Sequence, residues 1–187
     1  MNQSLPDPIT TEVIRHALQG IAEEMGVTLI RTAYSTNIKE RRDCSCALFS
    51  AQGELIALAE HIPIHLGSML GLMKKICEIY PLSSFGPGDV IITNDPYQGG
   101  GSHLPDVTLV QPVYMDNRLV AFVANIAHWA DIGGAFPGGG TGGAASEIYQ
   151  EGFRIPPLFL YRQGKPQTEF IELIMTNLRG RQEREGD

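Results

Sequence analysis

Apolar residues recur at helical spacing near the start of the chain. Val13, Ala17, Ile21, Met25 and Leu29 fall four apart, with Ile14, Leu18 and Ala22 beside them, and predict an amphipathic helix over about residues 8–33. Asp7 followed by Pro8 suits its start, because proline's fixed φ and missing N–H cost nothing at a first helical position. His16 falls off the stripe and is expected at the surface. The pattern then changes to short runs at 43–49 and 54–59, separated by Ser50-Ala51-Gln52-Gly53, which predicts a hairpin. A second amphipathic helix is predicted over about 67–80, with Leu70, Met73, Ile76, Cys77 and Tyr80 on its apolar face and Pro81 ending it.

Residues 89–93 read as a short buried strand that empties into a polar Gly/Pro loop reaching Asp106. Residues 107–114 and 118–126 flank Asp116-Asn117, a second hairpin signal. Residues 130–146 hold seven glycines and one proline and predict a long loop. A last helix is predicted over about 168–178. This order predicts an α+β domain over residues 1–178, its mostly antiparallel sheet built from two hairpins and a short strand, with helices covering one face. Residues 179–187 alternate in charge without an apolar face and are expected to be a polar tail at a truncation point.

Composition supports a real core, with 43% hydrophobic and 19% charged residues among 187. Fourteen basic against 21 acidic side chains give a net charge of −7, which argues against nucleic acid or an anionic membrane as the main partner. Residues 1–11 lack a signal-peptide pattern, and no apolar run approaches the ~18 residues of a membrane span. Three cysteines, Cys44, Cys46 and Cys77, read as reduced thiols used as small core residues. A cytoplasmic location is therefore expected.

The second hairpin also brings chemistry together. A turn at Asp116-Asn117 pairs Met115 with Arg118, and the continued register places Pro105 opposite His128 and His103 opposite Ala130. Two residues of a strand span less than about 7 Å, so His103 and His128 converge on one face at the hairpin's open end. Asp106 has the opposite parity and joins them only if Pro105 breaks the strand; Pro112 is another place for a bulge. Two imidazoles and one carboxylate suit Zn²⁺, Mn²⁺ or Fe²⁺. On spacing alone the plainer account stays ahead: His103 caps a loop, and His128 is a hydrogen-bonded histidine at a strand end.

Other candidates are acids and histidines near the same segments. Asp43 and Asp95 sit at strand ends, and Glu151 follows Glu147 by four residues, near Arg154. His61 and His65 bracket Pro63 before a helix, where capping or packing accounts for them more readily than ligation. Residues 138–143 contain GxGxxG without a directly preceding strand, which predicts a lid loop and not a nucleotide site. No GxxxxGK[ST] run exists, so the chain carries no phosphate loop of that kind.

Several blocks resemble the hydantoinase B family: residues 37–49 (NIKERRDCSCALF), 61–69 (HIPIHLGSM), 88–97 (GDVIITNDPY), 102–106 (SHLPD), 127–134 (AHWADIGG), 147–157 (EIYQEGFRIPP) and 184–187 (REGD). Together they run through nearly the whole chain, and they resemble the N-terminal portion of much longer family members. That family includes B subunits of ATP-dependent N-methylhydantoinases, the C-terminal part of 5-oxoprolinases, and subunits of acetone and acetophenone carboxylases. The resemblance implies a hetero-oligomer in which a hydantoinase A-type partner binds ATP and phosphorylates a carbonyl or enol oxygen. This chain would then act on the activated small cyclic amide or, in the carboxylase branch, on a ketone-derived enol. It also implies a divalent metal ion, Zn, Mn or Fe, held by His103, Asp106 and His128, which reverses the weighing from spacing alone. Asp43, Asp95 or Glu151 would orient water. The sequence departs from the family at Trp129, where many relatives carry a second histidine, and in the longer glycine run before His103.

Overall fold

The computed structural model describes residues 7–138 and 145–187, so most of the 138–143 glycine run expected to form a lid lies outside the described residues. Both predicted hairpins are present, as β1 (Cys44–Ser50) with β2 (Leu55–Glu60) and β4 (Asp106–Met115) with β5 (Arg118–His128). They join the short β3 (Val90–Thr93), β6 (Leu158–Arg162) and β7 (Lys165–Pro166) in one sheet, ordered β2-β1-β5-β4-β3-β6-β7 and antiparallel throughout. The β6–β7 hairpin was not expected. Its signal was the run Leu158-Phe159-Leu160-Tyr161, followed by a two-residue Gln163-Gly164 turn with both φ positive.

The described residues form five α-helices: α1 (Pro8–Thr32), α2 (Thr36–Lys39), α3 (Ile64–Ile79), α4 (Thr168–Thr176) and α5 (Arg181–Gly186). Period-2 alternation in β1 sorts them. Cys44, Cys46 and Leu48 point to the face covered by α1 and α4, whereas Ala47 and Phe49 point to the face covered by α3. α1 and α4 thus share one face of the sheet, and α3 covers the other. Burial pushes the Cys44 and Cys46 thiols up to about 11 and 12, which suits packing and not nucleophilic chemistry. On α3 the buried side is Met69, Leu72, Met73 and Ile76; Leu70, expected inside, is 63% exposed. Asp7 caps α1 by accepting from the Ile9 and Thr10 amides. Val13 and Ile14 nevertheless stay exposed, so α1 carries core residues only from Leu18 onward, at Leu18, Ala22, Met25 and Leu29.

The expected register of the second hairpin needs one correction. Met115 pairs with Arg118 across the Asp116-Asn117 turn, where φ is 48° and 60°. Between Val113 and Tyr114 the pairing shifts, and Val120 is the extra residue on β5. Asp106, not Pro105, therefore faces His128 directly. The C-terminal segment also differs from the expected polar tail. Residues 181–186 form α5, Arg184 is buried, and Asp187 accepts hydrogen bonds from the Tyr34 and Ser35 amides at 2.9 and 2.8 Å.

Asp131 fixes the loop after β5. Its carboxylate accepts from the amides of Gly133, Gly138 and Arg179 and from the Arg179 guanidinium, at 2.8–3.2 Å. Burial alone would raise its pKa, but these four donors win and hold it below the usual carboxylate value. A carboxyl depressed in the folded state contributes stability above its unfolded pKa, and that contribution is lost as pH falls through the folded value. Urea unfolding of wild type and Asp131→Asn should accordingly show a stability gap that is full at neutral pH and shrinks as pH falls below about 4. A gap constant from pH 7 to pH 2 would contradict this role.

Candidate metal centre

The site forms where β4 begins and β5 ends, on the face covered by α3. Asp106 and His128 are cross-strand partners, so both side chains leave the sheet on the same side. His103 lies in the preceding turn, whose carbonyl accepts from the Asp106 amide at 3.1 Å. One donor atom from each of His103, Asp106 and His128 lies within 4.8 Å of the others. The two imidazole centroids are 4.9 Å apart, and His103 Nε2 is 3.1 Å from Asp106 Oδ1.

Backbone and polar contacts fix each group. Asp106 is 1% exposed, and its Oδ2 accepts from the Ser102 amide at 3.1 Å and the Ser102 hydroxyl at 3.0 Å. A Cβ on Gly101 would overlap Asp106 Cβ, so the glycine run lets this loop fold onto the carboxylate. The Asn37 side-chain amide lies 3.1 Å from His128 Nδ1, and the His128 amide donates to the Asp43 carbonyl at 2.9 Å. Burial pushes Asp106 up, but the His103 and His65 imidazoles beside it outweigh burial and hold it well below the usual range. His103 is raised by its hydrogen bond to Asp106 against the effect of burial. His128 is lowered, mainly by burial, and so favours the neutral form a metal ligand needs. An anionic oxygen and two imidazoles converging at this spacing fit Zn²⁺, Mn²⁺ or Fe²⁺.

The other predicted acids fall at different distances from this centre. Asp43 borders it: its carboxylate is 3.8 Å from His65 Nε2 and its charge favours protonated His128. Glu151 contacts the turn after His103, with Oε2 accepting from the Leu104 amide at 3.2 Å. Asp95 is turned to loop building, accepting from the Tyr97 amide, the Gln98 amide group and Arg154 at 2.8–3.0 Å. His65, for which packing or capping seemed sufficient, has Nε2 3.8 Å from Asp106 Oδ1. No local pattern separates it from His61; only the position of α3 does. Trp129 is buried on the opposite face, with Ile174 and Met175 of α4, so this departure from relatives lies off the site's face. A cavity of about 310 Å³ bounded by Tyr97, Ser102, Glu147 and Glu151 opens beside the loop that holds Asp106.

Fold and site define a class: an antiparallel α+β domain with a two-histidine, one-carboxylate cluster at the open end of a hairpin. The hydantoinase B/oxoprolinase description matches residues 7–187, and the chain belongs to that family. It is 47% identical to 5-oxoprolinase from Dictyostelium discoideum over 165 residues, 88% of this chain and 13% of that protein. It is 41% identical to caprolactamase subunit beta from Pseudomonas jessenii over 181 residues, 97% of this chain and 31% of the relative. The crystal structure of ATP-dependent caprolactamase from that organism matches with a TM-score of 0.88 at 40% identity, covering 98% of this chain and 31% of that one. A nucleotide-free acetone carboxylase structure shares the fold, with a TM-score of 0.80 at 18% identity over 96% of this chain and 24% of that one. This chain thus spans less than a third of these relatives.

Gly101→Ala tests the close approach. The added methyl must displace Asp106, and overpacking of this kind costs about 1–3 kcal/mol. Chemical denaturation should show that loss, together with weaker Zn²⁺ or Mn²⁺ binding; wild-type stability and affinity would contradict the packing account.

Proposed function

We propose that this chain is the metal-holding part of an ATP-dependent cyclic amidase, acting on a hydantoin or lactam ring activated by a hydantoinase A-type partner. The observation that carries this reading is the convergence of His103, Asp106 and His128 at one end of the sheet. The names of the relatives support the reaction class: 5-oxoprolinase and caprolactamase both denote enzymes that open cyclic amides. A divalent cation bound there would supply a Lewis acid and lower the pKa of water.

The chain's own residues have separable tasks. His103, Asp106 and His128 hold the cation; Ser102 and Asn37 fix the orientation of two of them. Asp43, at the rim of the site, orients water and accepts its proton. Glu151 borders the cavity beside Ser102 and adds a second acid facing an incoming ring. Asp95 acts at one remove, by holding Arg154 and the Pro96–Gln98 turn.

Activation by phosphorylation matters because an unstrained lactam resists hydrolysis. We place ATP on the partner, consistent with the absence of a GxxxxGK[ST] loop here. This assignment makes the working form a hetero-oligomer, and cytoplasmic ATP fits it. The net charge of −7 gives no support to nucleic acid or an anionic membrane as partner, and among the described residues no helix is long and apolar enough to cross a membrane.

The test combines this chain with its A-type partner, ATP and either 5-oxoproline, a hydantoin or caprolactam. ATP-dependent ring opening is expected. Bicarbonate-dependent consumption of a ketone would instead select the carboxylase branch, and partner binding without turnover would select an assembly module. His103→Ala and His128→Ala should each cut bound Zn or Mn, measured by elemental analysis, at least about tenfold. Unchanged metal in both variants would remove the site assignment.

A further inference from the structure

The first turn of α3 is turned inside out with respect to hydrophobicity. Ile64 is 60% exposed and Leu66 is 37% exposed, while the polar His65 between them is 1% exposed. Burying an imidazole and leaving its apolar neighbours in solvent is unfavourable unless the ring has polar partners. Nδ1 of His65 has a hydrogen-bond partner, and Nε2 faces two carboxylates at ion-pair distance.

Nδ1 lies 3.1 Å from the Ser45 hydroxyl, which is itself fully buried. That hydroxyl oxygen accepts from the His61 amide at 3.4 Å, which leaves its proton free to be donated to Nδ1. Two carboxylates face Nε2, which favours the ring proton there and leaves Nδ1 to accept from the Ser45 hydroxyl. Nε2 points between two carboxylates, 3.8 Å from Asp43 Oδ1 and 3.8 Å from Asp106 Oδ1. His65 lies outside the group of His103, Asp106 and His128 and faces the two acids as a donor. It stands between buried Asp106 and partly exposed Asp43 and separates their like charges.

We infer that His65 is a positioning residue for the metal centre, orienting the Asp106 carboxylate for the cation and holding Asp43 beside it; this rests on the metal-holding reading above. Asp106 Oδ2 is taken up by Ser102. Oδ1 has His103 on one side and His65 on another, so the two imidazoles together define its remaining direction. The chain of contacts runs from β1 through α3 to the first residue of β4. Groups that orient metal ligands in this way are commonly worth about 10–100-fold in affinity.

The test compares Mn²⁺ and Zn²⁺ affinity by titration calorimetry for wild type, His65→Asn, His65→Gln, Ser45→Ala and His103→Ala, each checked for folding by circular dichroism. Asparagine retains a polar group near Nδ1 but none at Nε2, whereas glutamine carries an amide out to the Nε2 position. His65→Asn should weaken binding about 10–100-fold, and His65→Gln should recover most of it. Ser45→Ala should weaken binding in the same direction but less, and it decides the matter if His65→Asn does not fold. A purely structural histidine would lower the melting temperature in both His65 variants and leave metal affinity unchanged, and that result overturns the inference. If His103→Ala loses the metal while His65→Asn and Ser45→Ala keep it, this inference fails and the metal-holding reading stands. If wild type binds neither ion, both fail.

Discussion

Everything in the site depends on one cross-strand pair, Asp106 opposite His128. In an antiparallel ladder a one-residue slip sends every side chain of a strand to the other face. The extra residue Val120, near the far end of the hairpin, supplies the one-residue shift that puts Asp106 in register with His128. Without it Pro105 would hold that place, and Asp106 would point toward the α4 side, away from His65 and α3. A bulge eight residues along β5 from His128 therefore decides which chemistry the open end of the hairpin presents.

The second constraint is electrostatic. A carboxylate buried as deeply as Asp106 is costly unless donors surround it. The protein meets this with Ser102 on one oxygen and imidazoles on the other. Gly101 makes the arrangement sterically possible, since any larger residue would collide with the Asp106 side chain. Among the described residues the basic groups paired with Asp106 are His103 and His65. The resulting cluster is compact, with Asp106 buried and the two histidines partly exposed.

Much of this was readable in the sequence, and the failures have physical causes. Asp116-Asn117 announced its hairpin because both residues tolerate positive φ. The spacing of His103, Asp106 and His128 suggested a cluster, but parity argued against Asp106, because bulges follow from three-dimensional twist and not from local composition. The β6–β7 hairpin carried the ordinary signs of strand and turn in LFLYR and Gln163-Gly164. The C-terminal charges looked solvated, yet the Arg184 and Asp187 side chains are buried, and Asp187 reaches amides at the α1–α2 junction 152 and 153 residues away in sequence. His65 was invisible for the same reason: its two carboxylates come from the residue before β1 and the first residue of β4, and only the packed sheet brings them to one ring.

The most direct measurement is anomalous diffraction from crystals of this chain loaded with Zn²⁺ or Mn²⁺. The account predicts one strong peak with a nitrogen of His103, a nitrogen of His128 and an oxygen of Asp106 each about 2.0–2.2 Å away. An ordered cation bound elsewhere, or a peak that touches one of the three and leaves the other two out of reach, would contradict it.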